Sequence, residues 1–226
     1  MILVVFLFAF STNRSEHRNP SKIVVNFLGD ENLYITEESV NKLLIQNNQE
    51  VMSVPKEILD LNELESVLKS NAMIKTAEVY LAVNGEVKAD IEQRKPIARI
   101  STNASYYIDE DGLFMPLSTN YSARVPLVTG QVHKNKLDNI YKIADKIHND
   151  EFLKEHIVEI RQDQNQHISL KMRVLDFEIF IGDLKYLDKK INNLKAFYQK
   201  ASKDKSLGNY SKVNLQFENQ VVCTKK

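Results

Sequence analysis

The chain has 226 residues, 43% of them hydrophobic and 27% charged, the balance of a folded body with its own core rather than a low-complexity or linker-dominated chain. Lys plus Arg and Asp plus Glu stand at 30 each, so no global field steers it toward nucleic acid or toward acidic substrates. The single cysteine, Cys223, excludes an internal disulfide and any zinc site built on two or more thiolates.

The first ten residues, "MILVVFLFAF", are uninterrupted apolar sequence, followed at once by polar "STNRSEHRNPSK". Ten helical residues cover only about 15 Å, roughly half of a hydrocarbon core. A signal-peptide core lacks its basic n-region and its cleavage site here, and a buried strand or helix has nothing nearby to pack on. The favoured expectation is the outer half of a single membrane-spanning helix, so that residues 1–22 form its end and a linker. Arg14, Arg18 and Lys22 beyond it count against an extracytoplasmic flank under the positive-inside rule, so charge does not secure the orientation.

Ile23, Val25 and Phe27 alternate as a short strand. Thr36 is placed to cap a helix with Glu37 and Glu38 in its first turn, where carboxylates suit the positive end of the dipole. "Asp60-Leu61-Asn62-Glu63" reads as a capping box that opens a second helix, with Leu61, Leu64, Val67 and Leu68 facing inward. Ala77, Val79, Leu81 and Val83 alternate, Asn84-Gly85 follows, and Val87, Ala89 and Ile91 alternate again. This predicts a hairpin closed by a type I′ turn. Residues 23–94 therefore form a strand–helix–helix–strand–strand unit, with two helices on one face of a three-stranded sheet.

Pro96 marks a joint. Beyond it, Ile97–Ile100, Tyr106–Ile108, Leu113–Met115 and the stretch from Val125 to Gly130 read as short strands. Leu137, Ile140, Tyr141, Ala144 and Ile147 have helical spacing. Three strands follow at 157–161, 168–174 and 177–181, then a long helix with a stripe from Leu184 to Ala201. A last strand is expected over Val213–Val222. The fold class is thus α+β: the first unit, then a mostly antiparallel β domain with two helices over residues 95–226.

"YYIDEDGLFMP" (106–116) gathers three carboxylates and a glycine between apolar runs. It lacks the spaced oxygen ligands of a calcium loop, and adjacent Asp109 and Glu110 would point to opposite faces of a strand. Asp111-Gly112 between two apolar runs needs only to be a turn. The histidines at 17, 133, 148, 156 and 167 show no HExxH pairing, and no phosphate-binding glycine loop or nucleophile elbow is present. No catalytic, metal-binding or cofactor-binding residues are assigned. Binding is the better expectation: Tyr186 and Tyr198 stand among lysines on the polar side of the long helix, and "KVNLQFENQVV" reads as a sheet edge able to accept a partner strand.

These pieces resemble one family. "IEQRKPIARI" (91–100) is similar to the "V-x-E-R-x-P-x-A" segment that joins a POTRA domain to the β domain of the bacterial cell-division protein FtsQ/DivIB, with Gln93 inserted between Glu92 and Arg94. "YYIDEDGLFMP" resembles that family's "V-D-x-x-G" hairpin, "VPLVTG" its "l-P-x-l-x-G", and "KVNLQF" its "y-V-D-L-R-Y" strand, with Asn214 and Gln216 in place of the Asp and Arg. The resemblance implies a non-catalytic divisome scaffold, anchored in the inner membrane by one span with its bulk in the periplasm. Its implied partners are single-pass coiled-coil division proteins of the FtsB and FtsL types and other divisome membrane proteins. By position it carries the partner contact onto Tyr210, Lys212, Val213, Asn214, Leu215, Gln216 and Phe217, with Tyr186 and Tyr198 contributed by the helix. The alternatives are a POTRA-bearing accessory of outer-membrane protein assembly or transport, and an envelope enzyme in which His148, His156 or His167 would cluster with acids in a pocket.

Overall fold

The computed structural model describes residues 23–30, 32–47, 60–102, 104–133 and 136–226. The apolar start at 1–22 and His17 lie outside them. Among the described residues no helix is long and apolar enough to cross a membrane. The fold is α+β and divides into two compact units, one reaching Arg94 and including Ser118–Ser122, the other comprising Lys95–Leu117 and Ala123–Lys226.

In the first unit, strands β1 (Ile23–Leu28), β2 (Ile74–Leu81) and β3 (Val87–Gln93) form a three-stranded sheet in the order β1-β3-β2, with β1 parallel and β2 antiparallel to the central β3. Helices α1 (Glu37–Asn47) and α2 (Leu61–Ser70) bury Val40, Leu44, Leu64 and Leu68 against it. Both helix starts are capped as the sequence implies. Thr36 Oγ1 accepts from Ser39 N at 3.2 Å, and Asp60 Oδ1 accepts from Asn62 N and Glu63 N at 2.9 and 3.1 Å.

The β2–β3 hairpin is present, but its turn differs from the expected type I′. Only Gly85 has a positive φ, 94°. Gly85 N donates to Ala82 O at 2.9 Å and Ala82 N to Glu86 O at 2.8 Å. Val83, Asn84 and Gly85 therefore make a three-residue loop, a type I turn followed by a left-handed glycine. The third loop residue relieves Asn84 of the left-handed conformation that a two-residue turn would demand.

Gln93, the residue inserted in the linker motif, is 3% exposed and ties β3 to the segment before α1. Its Oε1 accepts from Tyr34 N and Ile35 N at 2.9 and 3.1 Å, and its Nε2 donates to Ile35 O at 2.9 Å. Ser118 Oγ and Asn120 Nδ2 donate to Tyr34 O at 2.6 and 3.2 Å, and Tyr121 meets the Tyr34 ring edge-on with centroids 5.6 Å apart.

The second unit is built on one mixed nine-stranded sheet in the order β12-β11-β10-β9-β8-β7-β4-β5-β6. Its strands are β4 (Pro96–Ser101), β5 (Ser105–Asp109), β6 (Phe114–Met115), β7 (Leu127–Gly130), β8 (Ile157–Gln162), β9 (Ile168–Met172), β10 (Glu178–Gly182), β11 (Tyr210–Asn214) and β12 (Val222–Lys225). Most neighbouring pairs are antiparallel, while β4–β7, β7–β8 and β10–β11 are parallel. Three helices accompany it, one more than expected: α3 (Asp138–His148), the short α4 (Glu151–His156), which has no periodic signal, and α5 (Leu187–Lys203).

A single row of apolar side chains crosses this sheet in register: Cys223, Val213, Ile179, Leu170, Ile160, Val128, Ile100 and Tyr106 stand opposite one another from β12 to β5. Ile140, Ile143, Leu153, Ile191 and Leu194 of the three helices join the same core. The adjacent row, on the other face, is polar where β8 to β11 meet: Glu159, Lys171, Glu178 and Lys212 alternate in sign.

The acidic stretch is a turn. Asp109 is fully buried, and its Oδ1 accepts from Asp111 N at 3.1 Å and Leu113 N at 2.7 Å, closing β5 onto β6. Asp150 performs the comparable task for α4, accepting from Leu153 N at 3.2 Å while Lys195 Nζ of α5 lies 2.5 Å from its other oxygen. Burial pushes the Asp150 carboxyl up, but the Lys195 ammonium and the Leu153 amide outweigh it and hold the group below its ordinary 3.8.

Gln93→Ala strands two backbone donors and one acceptor, and chemical denaturation should show a loss of about 3 kcal/mol in the first unit. In the second unit, a Cβ on Gly130 would stand 2.1 Å from Gln162 O at a φ of 88°, so Gly130→Ala should cost at least about 2 kcal/mol. Because the folded pKa of Asp150 is depressed, its stabilisation is complete above 3.8 and is lost as pH falls below it. Replacing Asp150 by Asn should therefore flatten the acid limb of a stability–pH curve.

Candidate partner-binding edge

The sequence places the binding edge on one continuous strand over 213–222 with nothing beyond it to pair. The structure corrects this. The run is two strands, and β11 is covered on both sides: it pairs parallel with β10 through Lys212 and Val213, and antiparallel with β12, where Lys212, Val213 and Asn214 face Thr224, Cys223 and Val222. The outer strand is β12, residues Val222–Lys225.

The cause of the split is local. Asn214 Oδ1 accepts from Gln216 N at 2.9 Å, an Asx turn that ends the strand, while Leu215 N still reaches Phe180 O of β10 at 2.8 Å. Glu218 is then held by α5, with Lys189 Nζ on its carboxylate at 2.8 Å and Asn193 Nδ2 on its carbonyl at 3.2 Å. The chain returns through Val221, and Cys223 completes the apolar row. The polar triplet Glu218-Asn219-Gln220 between Phe217 and Val221 was the available sequence signal for this reversal. An Asp at position 214 could accept the same turn-closing bond, so the departure from the family pattern leaves the turn intact.

The residues carried over as partner contacts separate accordingly. Val213 and Leu215 are core, 0% and 1% exposed. Tyr198 is half-buried in an aromatic cluster, 5.0 Å from Phe152 and 5.1 Å from His156 between ring centroids, and Tyr210 packs on Phe197 at 5.4 Å. Lys212 lies 3.4 Å from Glu178 and over the Phe180 ring at 4.5 Å. Three remain at the surface: Gln216, Phe217 and Tyr186, the last 67% exposed at the N-cap of α5 with a φ of 51°. The Lys189–Glu218 pair ties the loop that carries Phe217 to the first turn of α5, beside Tyr186.

Behind that turn, buried Lys190 sends its ammonium to Ile181 O, Asp183 O and Asp183 Oδ1 at 3.0, 2.7 and 3.0 Å, fixing α5 to the end of β10. Lys190 in turn holds the Asp183 carboxyl below the usual range.

On β12 itself, Val222 and Thr224 are exposed, while Cys223 packs inward and burial pushes its thiol up, away from the reactive thiolate. Ser211 Oγ donates to Thr224 O and Lys225 O at 3.3 and 3.2 Å, and Lys226 N donates to Asn209 O at 2.9 Å, pinning the strand end. What the arrangement offers is backbone, in a short, anchored strand whose outer side pairs with no strand among the described residues.

Of His148, His156 and His167, only His167 meets a carboxylate, and it does so in an exposed turn. His156 Nδ1 lies 2.8 Å from Phe152 O, His167 pairs with Asp163 at 3.3 Å in the β8–β9 turn, and His148 lines a cavity without carboxylates. Among the described residues no three His, Cys, Asp or Glu side chains gather as metal ligands.

Comparison with known families now adds to this geometry. The profile described as FtsQ/DivIB, C-terminal related, matches residues 95–224, and a POTRA-like domain profile matches residues 23–92. The chain belongs to the FtsQ/DivIB family. No curated protein matches it at a significant level. Members of this family are non-catalytic cell-division scaffolds that work at the division septum through protein–protein contacts.

Phe217 and Tyr186 are exposed, and among the described residues neither side chain makes a hydrogen bond, ion pair or ring contact. Phe217→Ser and Tyr186→Ser should therefore leave thermal stability within about 0.5 kcal/mol of the parent, as calorimetry would show.

Proposed function

We propose that this chain is a single-pass inner-membrane scaffold of the divisome, with residues 23–226 in the periplasm, that captures coiled-coil division proteins of the FtsB and FtsL types. A partner segment adds to β12 as a tenth strand, so that main-chain bonds supply affinity and the flanking side chains select the partner. The first unit supports localisation or contacts with other divisome membrane proteins. The observation that carries the reading is the outer side of β12, to which no strand of the described residues is paired, in a chain whose match extends through residue 224.

Phe217 and Val222, 47% and 42% exposed, flank this rim and supply apolar anchors for the incoming strand. The family match over residues 95–224 favours this reading over an accessory of outer-membrane protein assembly.

The test replaces Cys223 and Thr224 by Pro, one at a time. Neighbouring residues of a strand direct their amides to opposite sides, so one replacement removes an outward donor and the other an amide facing β11. The outward variant should keep its circular dichroism and lose at least tenfold in affinity for the coiled-coil partner encoded in the same genome. If both variants fold and bind like the parent, strand addition at β12 is wrong.

A further inference from the structure

The second unit has a second concave feature at the end of the sheet where β4, β7 and β8 begin and β9 ends. It is a cavity of about 170 Å³ that gathers four basic side chains, Arg124, His148, Lys154 and Arg173, and no carboxylate. They come from four places in the chain: the approach to β7, the last turn of α3, the short α4 and the residue after β9. The backbone fixes their positions. Arg173 N donates to His156 O at 2.8 Å, and Pro126 O accepts from Arg99 N of β4 at 3.0 Å.

The charge around this hollow is one-sided, since its lining holds basic groups and no acid. Lys69, Lys146, Lys189, Lys190, Lys195 and Lys212 each sit on a carboxylate. Among the described residues, the side chains of Arg124, His148, Lys154 and Arg173 have no hydrogen bond or ion pair. In a chain of zero formal net charge, this is an uncompensated concentration of donors around one hollow. Low-dielectric walls focus such a field on whatever enters.

The floor decides the class of anion. Ile97, Val125, Ile147 and Ile157 line the cavity beneath the basic rim. A bare inorganic anion gains nothing from aliphatic walls, whereas the methylenes of an acidic side chain pack on them while its carboxylate meets the guanidinium groups. At about 170 Å³ the hollow is below the roughly 300 Å³ at which pockets begin to house whole small-molecule ligands, and suits one side chain of a larger body.

We propose that this cavity is a docking site for an acidic polypeptide segment, which seats a Glu or Asp side chain between Arg124, Lys154, Arg173 and His148. It lies apart from the β12 rim, since β8 stands four strand positions from β12, roughly 19 Å at the usual spacing. The site does not depend on strand addition at that rim.

The test uses the full chain and a capped hexapeptide of alternating Glu and Ala, titrated by calorimetry beside its Gln counterpart. The Glu peptide should bind and the Gln peptide should not. The double variant Arg124→Gln/Arg173→Gln should weaken binding at least tenfold, 1 M salt should do likewise, and Lys200→Gln on the exposed side of α5 should have no effect. Both arginines are exposed, so the variant keeps its core. Equal affinity for the Gln peptide, no response to the double variant, or no binding of the Glu peptide overturns the proposal. Equally effective competition by inorganic phosphate or by vesicles of phosphatidylglycerol also overturns it, in favour of a site for phosphate groups.

Discussion

The register of one apolar row governs the second unit. Cys223, Val213, Ile179, Leu170, Ile160, Val128, Ile100 and Tyr106 face the helices from successive strands, and side chains alternate faces at every residue. A one-residue slip in any strand would send its member of the row to the opposite face and bring charge inward, because the neighbouring row holds Glu159, Lys171, Glu178 and Lys212. Each strand is thus fixed by its neighbours, and in β12 the inward member of the row is Cys223. The row explains how so short a strand keeps its register against β11.

Among the described residues the sheet ends at two rims of different character. At one rim β6 is two residues long, beside exposed Leu113 and Phe114. So short a strand offers little template. At the other rim β12 gives four residues, held by Ser211 and by the Lys226 amide, with Lys225 and Lys226 at its end. Lysines on a strand edge discourage indiscriminate pairing with other sheets.

Much of the fold was legible in the sequence. Alternation marked β2, β3 and β9, and caps at Thr36 and Asp60 marked both helix starts of the first unit, since these signals are local. The signals that failed are those decided by the third dimension. The parallel pairings of β4 with β7, β7 with β8 and β10 with β11 join segments distant in the chain and leave no local trace. Helix α4 spans less than two turns, too short for a period to show. The split of the terminal strand depends on Asn214 turning the chain and on α5 capturing Glu218; alternation alone cannot distinguish one ten-residue strand from two short ones that reverse. For the candidate edge, alternation placed the outermost strand at Val213–Val222, whereas β12 lies outside β11, and Val213, Leu215, Tyr198 and Tyr210 are packing residues. The basic hollow was invisible, because its four side chains come from separate elements.

The loop Ser118–Ser122 has a consequence for dissecting this protein. Its hydroxyl and amide groups satisfy the Tyr34 carbonyl, although the residues lie well past the Arg94–Lys95 junction in the sequence. A shortened chain that stops at Arg94 would surrender these donors along with the Tyr121 ring, and one that begins at Lys95 would carry them with no acceptor to meet. A division of labour between the two halves is therefore better probed by point changes within the intact polypeptide than by scissors.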